Sequence, residues 1–154
     1  MHDPLRSATN KLYKLIPELK YDVTIVFNHY CDGYNHKINC IYLKPYKQYK
    51  LELNKNNKYY HQVLPIKQSI IDTFGKFNLK LYCYHSVLHE YGHYYIYHNK
   101  KDLFRLDNKL RRKLNEQFPN ITPESSLKYR ELPEEKFADQ FALDFIKQHY
   151  HELF

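Results

Sequence analysis

His89-Glu90-Tyr91-Gly92-His93 places two imidazoles four residues apart, with a carboxylate directly after the first. On a helix each residue turns by about 100°, so the two histidines lie within about 40° of one another and both rings reach one metal ion. Glu90 falls to the flank, where water on that ion would stand. Zinc lowers the pKa of bound water towards ~7, and a neighbouring carboxylate takes the proton while the oxygen attacks a polarised carbonyl. This is the chemistry of the HExxH motif, and the His and Glu content of the chain gives only about 0.04 chance matches. The bland alternative is a helix whose histidines bond backbone or water.

A catalytic zinc takes three protein ligands and keeps one position open, so a third His, Glu or Asp is required. Glu135 is the choice, at the start of an amphipathic segment that follows Pro133. Asp139 stands one turn later on the same side, where it can accept a hydrogen bond from a ligating imidazole and raise its basicity. Glu134 competes for the ligand role but has no carboxylate four residues on. His85, one turn before His89, reads as a surface or hydrogen-bonded histidine rather than a ligand, and Tyr91 as core. Nothing in the sequence singles out which of the 17 Tyr and 10 His supplies a donor for a developing oxyanion.

These side chains need helices and strands to hold them. Asp3-Pro4 starts a helix along Leu5, Ala8, Leu12, Leu15 and Ile16, which Pro17 stops. Val23, Ile25 and Phe27 alternate within a strand over Tyr21–Tyr30; after the turn-like Cys31–Asn35 a second runs over Ile38–Leu43, and Tyr49–Asn54 alternates as a third. The expected sheet is small and antiparallel, and either of the last two runs could serve as an edge for an extended peptide. Pro65 opens a short helix that ends at Gly75. The motif helix spans about Tyr82–His98, apolar nearly all round and therefore central. Leu103, Leu106, Leu110 and Leu114 mark another helix capped by Asp102, with Lys109, Arg111, Arg112 and Lys113 on its outer face. Pro119 and Pro123 break the chain before the last helix, along Phe137, Ala138, Phe141, Ala142, Phe145 and Ile146.

With 154 residues the chain reads as a single domain, 1–154, long enough to bury a core without disulfides. The interior is to be built largely from Tyr and Phe rings whose hydroxyls need partners. Cys31, Cys40 and Cys83 are odd in number, lack paired metal-type spacing and follow no secretory leader, which predicts a reducing cytoplasm. No apolar run approaches the ~18 residues needed to cross a bilayer, so no membrane insertion is expected. The formal charge of +7 favours acidic partners, nucleic acid included, without establishing contact.

Glu135-Lys136-Phe137-Ala138-Asp139-Gln140-Phe141-Ala142, taken with His89–His93, resembles the ImmA/IrrE group of gluzincin-type metallopeptidases. Their pattern has HExxH on one helix and a Glu on the next, followed at three and four positions by Ala and Asn or Asp, then Phe-Ala. The resemblance implies a compact α+β domain, with a small, mainly antiparallel sheet against a central HExxH helix and a C-terminal helix carrying the third ligand. It implies His89, His93 and Glu135 as ligands of one zinc ion, Glu90 as general base and Asp139 as the partner of a ligating histidine. The helices over Leu103–Leu114 and Pro65–Phe74 are additions to that pattern.

The resemblance therefore implies a zinc-dependent endopeptidase of the kind carried by phages and mobile elements, where relatives cleave a DNA-binding repressor. One rival is a non-catalytic zinc-binding regulator that contacts DNA or a partner protein through its basic surface. Another is a metal-free interaction domain whose histidines fill the core.

Overall fold

The computed structural model describes residues 2–154. Asp3 caps the first helix, α1 (Pro4–Leu15), by accepting the Leu5 N–H at 2.9 Å, and Pro4 supplies a preset first-turn φ. Pro17 ends α1 as expected and opens the short α2 (Pro17–Tyr21). Three short strands follow, β1 (Thr24–Val26), β2 (Gly33–Asn35) and β3 (Cys40–Tyr42), in the order β1-β3-β2.

The sheet is mixed, not antiparallel: β1 pairs parallel with β3 (Ile25 beside Ile41), while β2 pairs antiparallel with it (Tyr34 beside Ile41). The turn-like Cys31–Asn35 contains β2, and the segment read as the second strand becomes the middle one. Ile38 is exposed.

The expected third strand over Tyr49–Asn54 is instead part of α3 (Tyr46–Glu52), which Pro45 precedes. Its buried residues are Tyr49 and Glu52, three apart, while Leu51 is 55% exposed. Burial thus follows helical spacing, and the apparent alternation did not decide the periodicity. The next helix, α4 (Tyr60–Phe74), begins before Pro65 and carries it inside. The backbone carbonyl that Pro65 leaves unpaired belongs to His61, an exposed residue, so water can satisfy it. At its end Gly75 takes φ 75°, the left-handed cap that glycine favours.

The longest helix, α5 (Leu79–Asn99), runs through the centre, with Leu81, Tyr84, Val87, Leu88 and Ile96 fully buried. One residue, Lys100, separates it from α6 (Lys101–Gln117); Asp102 lies in the first turn of α6 and does not cap it. The region between Pro119 and Pro133 forms a further helix, α7 (Pro123–Arg130). Thr122 and Ser125 close its start reciprocally, side chain to backbone in both directions, and Pro123 occupies the first turn. The chain ends in α8 (Pro133–Gln148) and α9 (Tyr150–Leu153).

A continuous core runs from Leu5 through Leu43 and Leu88 to Ile146 and Leu153. Two of its buried tyrosines find partners: the Tyr84 hydroxyl donates to the Leu153 carbonyl at 3.0 Å and the Tyr49 hydroxyl to Asp32 at 2.6 Å. Of the supposed outer face of α6, Lys109, Arg112 and Lys113 are exposed. Arg111 turns inward, paired with Asp107 and Glu135.

Candidate metal centre

Two helices build the site, and one glycine sets their spacing. A β-carbon at Gly92 would lie 3.0 Å from the Ala138 Cα and 3.2 Å from its Cβ, closer than ordinary carbon contact. Only a residue without a side chain lets α5 and α8 approach so closely. His89 and His93 on α5 then face the first turn of α8, where Glu134 and Glu135 are both buried.

The His89 Nε2 lies 3.0 Å from the His93 Nε2 and 2.8 Å from the Glu135 Oε2, and the His93 Nε2 is 3.4 Å from the Glu135 Oε1. Four-coordinate zinc, with ligands at about 2.0–2.2 Å, requires donors roughly 3.3 Å apart. Each ring is committed at its other nitrogen: the His89 Nδ1 bonds Asp139 at 2.8 Å and the His93 Nδ1 bonds Glu134 at 2.7 Å. Ionised carboxylates only accept, so both protons sit on Nδ1 and both Nε2 lone pairs point inward. The Glu135 Oε2 is buried without a hydrogen bond. Three electron-rich atoms thus converge on one point, an arrangement that a cation satisfies.

Without an ion, protons fill that role. Burial disfavours the charged His89, yet Glu135 and Asp139 outweigh it and raise its pKa to about 9. His93 is likewise held well above its ordinary value by Glu135 and Glu134 against burial. Burial pushes the Glu90 carboxyl up to about 7 although His89 and His93 pull it down. A carboxyl near neutrality can both take and return a proton.

A second group of potential ligands, His85, His89 and Asp139, lies beside the first. It suits a cation poorly. The His89 Nδ1 already gives its proton to Asp139, and the Arg130 guanidinium is bonded to the same carboxylate. Burial lowers the His85 pKa to about 3 despite Asp139, which keeps the ring neutral.

Glu135 is held from α6 and α7 as well. Its Oε1 accepts from the Tyr129 hydroxyl at 2.8 Å and from the Arg111 Nη2 at 3.1 Å, which leaves Oε2 as the oxygen able to face a cation. The Arg130 Nη1 lies 3.6 Å from Oε2. The fully buried Asp107 accepts the Glu134 backbone N–H at 2.9 Å and the Arg111 Nε at 3.1 Å, fastening α6 to the first turn of α8.

The structure therefore brings together His89, His93, Glu135, Glu90 and Asp139, and gives Glu134 a supporting place on His93. Asp107, Arg111, Tyr129 and Arg130 escaped sequence reasoning. Asp107 alone left a trace there, as an acid amid Leu103, Leu106 and Leu110 on the apolar side of its helix.

Two cavities, of about 310 and 290 Å³, flank the centre. The first is walled by Tyr59, Val63, Ile66 and Tyr82, with Lys44 bonded to Glu52 at 2.6 Å in its wall. The second is walled by Gly33, Tyr34, Asn108 and Arg111. Asp32, Glu90 and Tyr129 line both. The edge strand beside the site is β2; the Ile38–Leu43 segment carries the central strand.

Compared with protein-family models, with curated proteins and with solved structures, the chain matches none. No helix among the described residues is long and apolar enough to cross a membrane.

Proposed function

We propose that the chain is a zinc-dependent endopeptidase of ImmA/IrrE-like character, acting in the cytoplasm on a protein substrate such as the DNA-binding repressor of a phage or mobile element. One observation carries the reading: three buried donor atoms, each backed by a partner that fixes its orientation, converge beside the buried Glu90 carboxyl in a two-sided cleft. His89, His93 and Glu135 would hold the ion. When bound, zinc acidifies water and polarises a carbonyl.

The chain's own residues do the rest. Glu90 accepts a proton from the attacking water and returns it to the amide nitrogen that leaves. Asp139 and Glu134 keep both imidazoles in the one tautomer that can ligate. The free edge of β2, beside the second cavity, offers backbone hydrogen bonds to an extended peptide.

The test pairs metal analysis with proteomics. Protein purified without a His-tag should carry about one zinc per chain. Glu90→Gln should keep that zinc, and host cells expressing it should lack cleaved proteins found with the wild type. Identical proteomes for the two, together with salt-sensitive DNA binding, would transfer the reading to a regulator acting through exposed Lys109, Arg112 and Lys113.

A further inference from the structure

Hydrolysis of an amide needs a hydrogen-bond donor for the carbonyl oxygen as it gains negative charge. The meeting of the two cavities narrows the choice, because the residues common to both walls are Asp32, Glu90 and Tyr129. Two of these are acids. Asp32 accepts the Lys44 backbone N–H at 2.8 Å and the Tyr49 hydroxyl at 2.6 Å, so it is an acceptor already engaged. Tyr129 is the one side chain at the junction with a proton to donate in a neutral hydroxyl.

We propose that Tyr129 is a catalytic hydrogen-bond donor, which leaves Glu135 and binds the oxygen of the scissile carbonyl as the peptide is attacked. This rests on the peptidase reading above. A phenol carries a single proton, so the donor must change partner, and the site is built to allow that. The Arg111 Nη2 lies 3.1 Å from the same Glu135 Oε1 that Tyr129 holds at 2.8 Å, so the carboxylate keeps a donor when the hydroxyl departs. The two neighbouring guanidiniums are less free to move. Arg111 is bonded to Asp107 as well as Glu135, and Arg130 to Asp139. Both also flank the Tyr129 ring, at 5.1 and 5.9 Å from its centre, which holds it at the junction.

The experiment uses the zinc-loaded full chain and two probes, N-phosphoryl-leucyl-phenylalanine and mercaptoacetyl-leucyl-phenylalanine. Both anchor on zinc, but only the phosphoryl group presents the extra oxygens of a tetrahedral anion, so a donor to the oxyanion is read by the first alone. Binding to wild type and Tyr129→Phe is measured by calorimetry, and zinc affinity by chelator competition. The expected result is at least a tenfold loss of phosphoryl-dipeptide binding in the variant. With zinc held saturating, mercaptoacetyl-dipeptide binding should stay within twofold, while zinc affinity itself falls because Glu135 loses one of its two donors.

Equal weakening of both probes at saturating zinc would make Tyr129 a positioning residue for Glu135 and overturn the proposal. So would a wild type that binds neither probe. Should the variant not fold, a crystal structure of the wild type with the phosphoryl dipeptide decides: the Tyr129 hydroxyl must lie within hydrogen-bond distance of a phosphoryl oxygen, and one still bonded to Glu135 refutes the exchange. Failure of the peptidase reading shows elsewhere, as unchanged proteomes for wild type and Glu90→Gln.

Discussion

Replacing Gly92 with alanine sets two effects of opposite sign against each other. In a helix interior alanine is favoured over glycine by about 1 kcal/mol, so an unobstructed site would be stabilised. Here the new methyl would meet the Ala138 Cα at 3.0 Å, where carbons prefer about 3.5–4.0 Å. That neighbour is backbone and cannot rotate away, so α8 must retreat by roughly half an ångström. Overpacking of this kind costs about 1–3 kcal/mol, which leaves a net loss near 1 kcal/mol, or about 2–4 °C in Tm.

The larger effect falls on the centre, because Glu135 lies one turn before Ala138 and retreats with it. A site loosened by that much should bind zinc at least about tenfold more weakly. Thermal unfolding of the apo-protein measures the first effect and competition with a chromophoric chelator the second. Combining the change with Ala138→Gly removes the 3.2 Å contact but not the 3.0 Å one, so it should restore only part of the zinc affinity. A Gly92→Ala protein with a raised Tm and unaltered zinc affinity would refute the close-approach reasoning.

Asp107→Ala strips the acceptor from the Glu134 N–H and one of the two charge partners from Arg111, a loss of roughly 3 kcal/mol that should lower Tm by about 6–12 °C. Asp107→Asn keeps an acceptor and should lose about half as much; a Tm within about 2 °C of wild type for the alanine variant would show that the α6 anchor is idle. His85→Ala should leave the metal content at about one zinc per chain by elemental analysis, and a fall to zero would move the ligand set to His85, His89 and Asp139.

Where local chemistry settles structure, the sequence was readable. Asp3-Pro4 opens α1 and Gly75 closes α4 because cap geometry depends on a few adjacent residues. The five residues of the expected zinc site lie together because three of them, His89, Glu90 and His93, fall within five positions of α5 and the other two, Glu135 and Asp139, lie one turn apart near the start of α8. The failures have physical causes too. Six alternating residues at Tyr49–Asn54 are too few to separate a strand from a helix, and only packing of Tyr49 and Glu52 decided it. Strand order depends on contacts far apart in sequence, so nothing local announced that β3 lies between β1 and β2. Arg111 resembled its exposed neighbours Arg112 and Lys113, and its inward turn depends on a carboxylate 24 residues away.

The helices α6 and α7 lie in the span of chain between His93 and Glu135. An ion held at both ends would tie that span together only in the folded chain, so the free energy of its binding would be stability that the metal-free protein lacks. Under the zinc reading proposed above, metal starvation should open this stretch first and expose it to proteolysis, which would tie the lifetime of each molecule to metal supply.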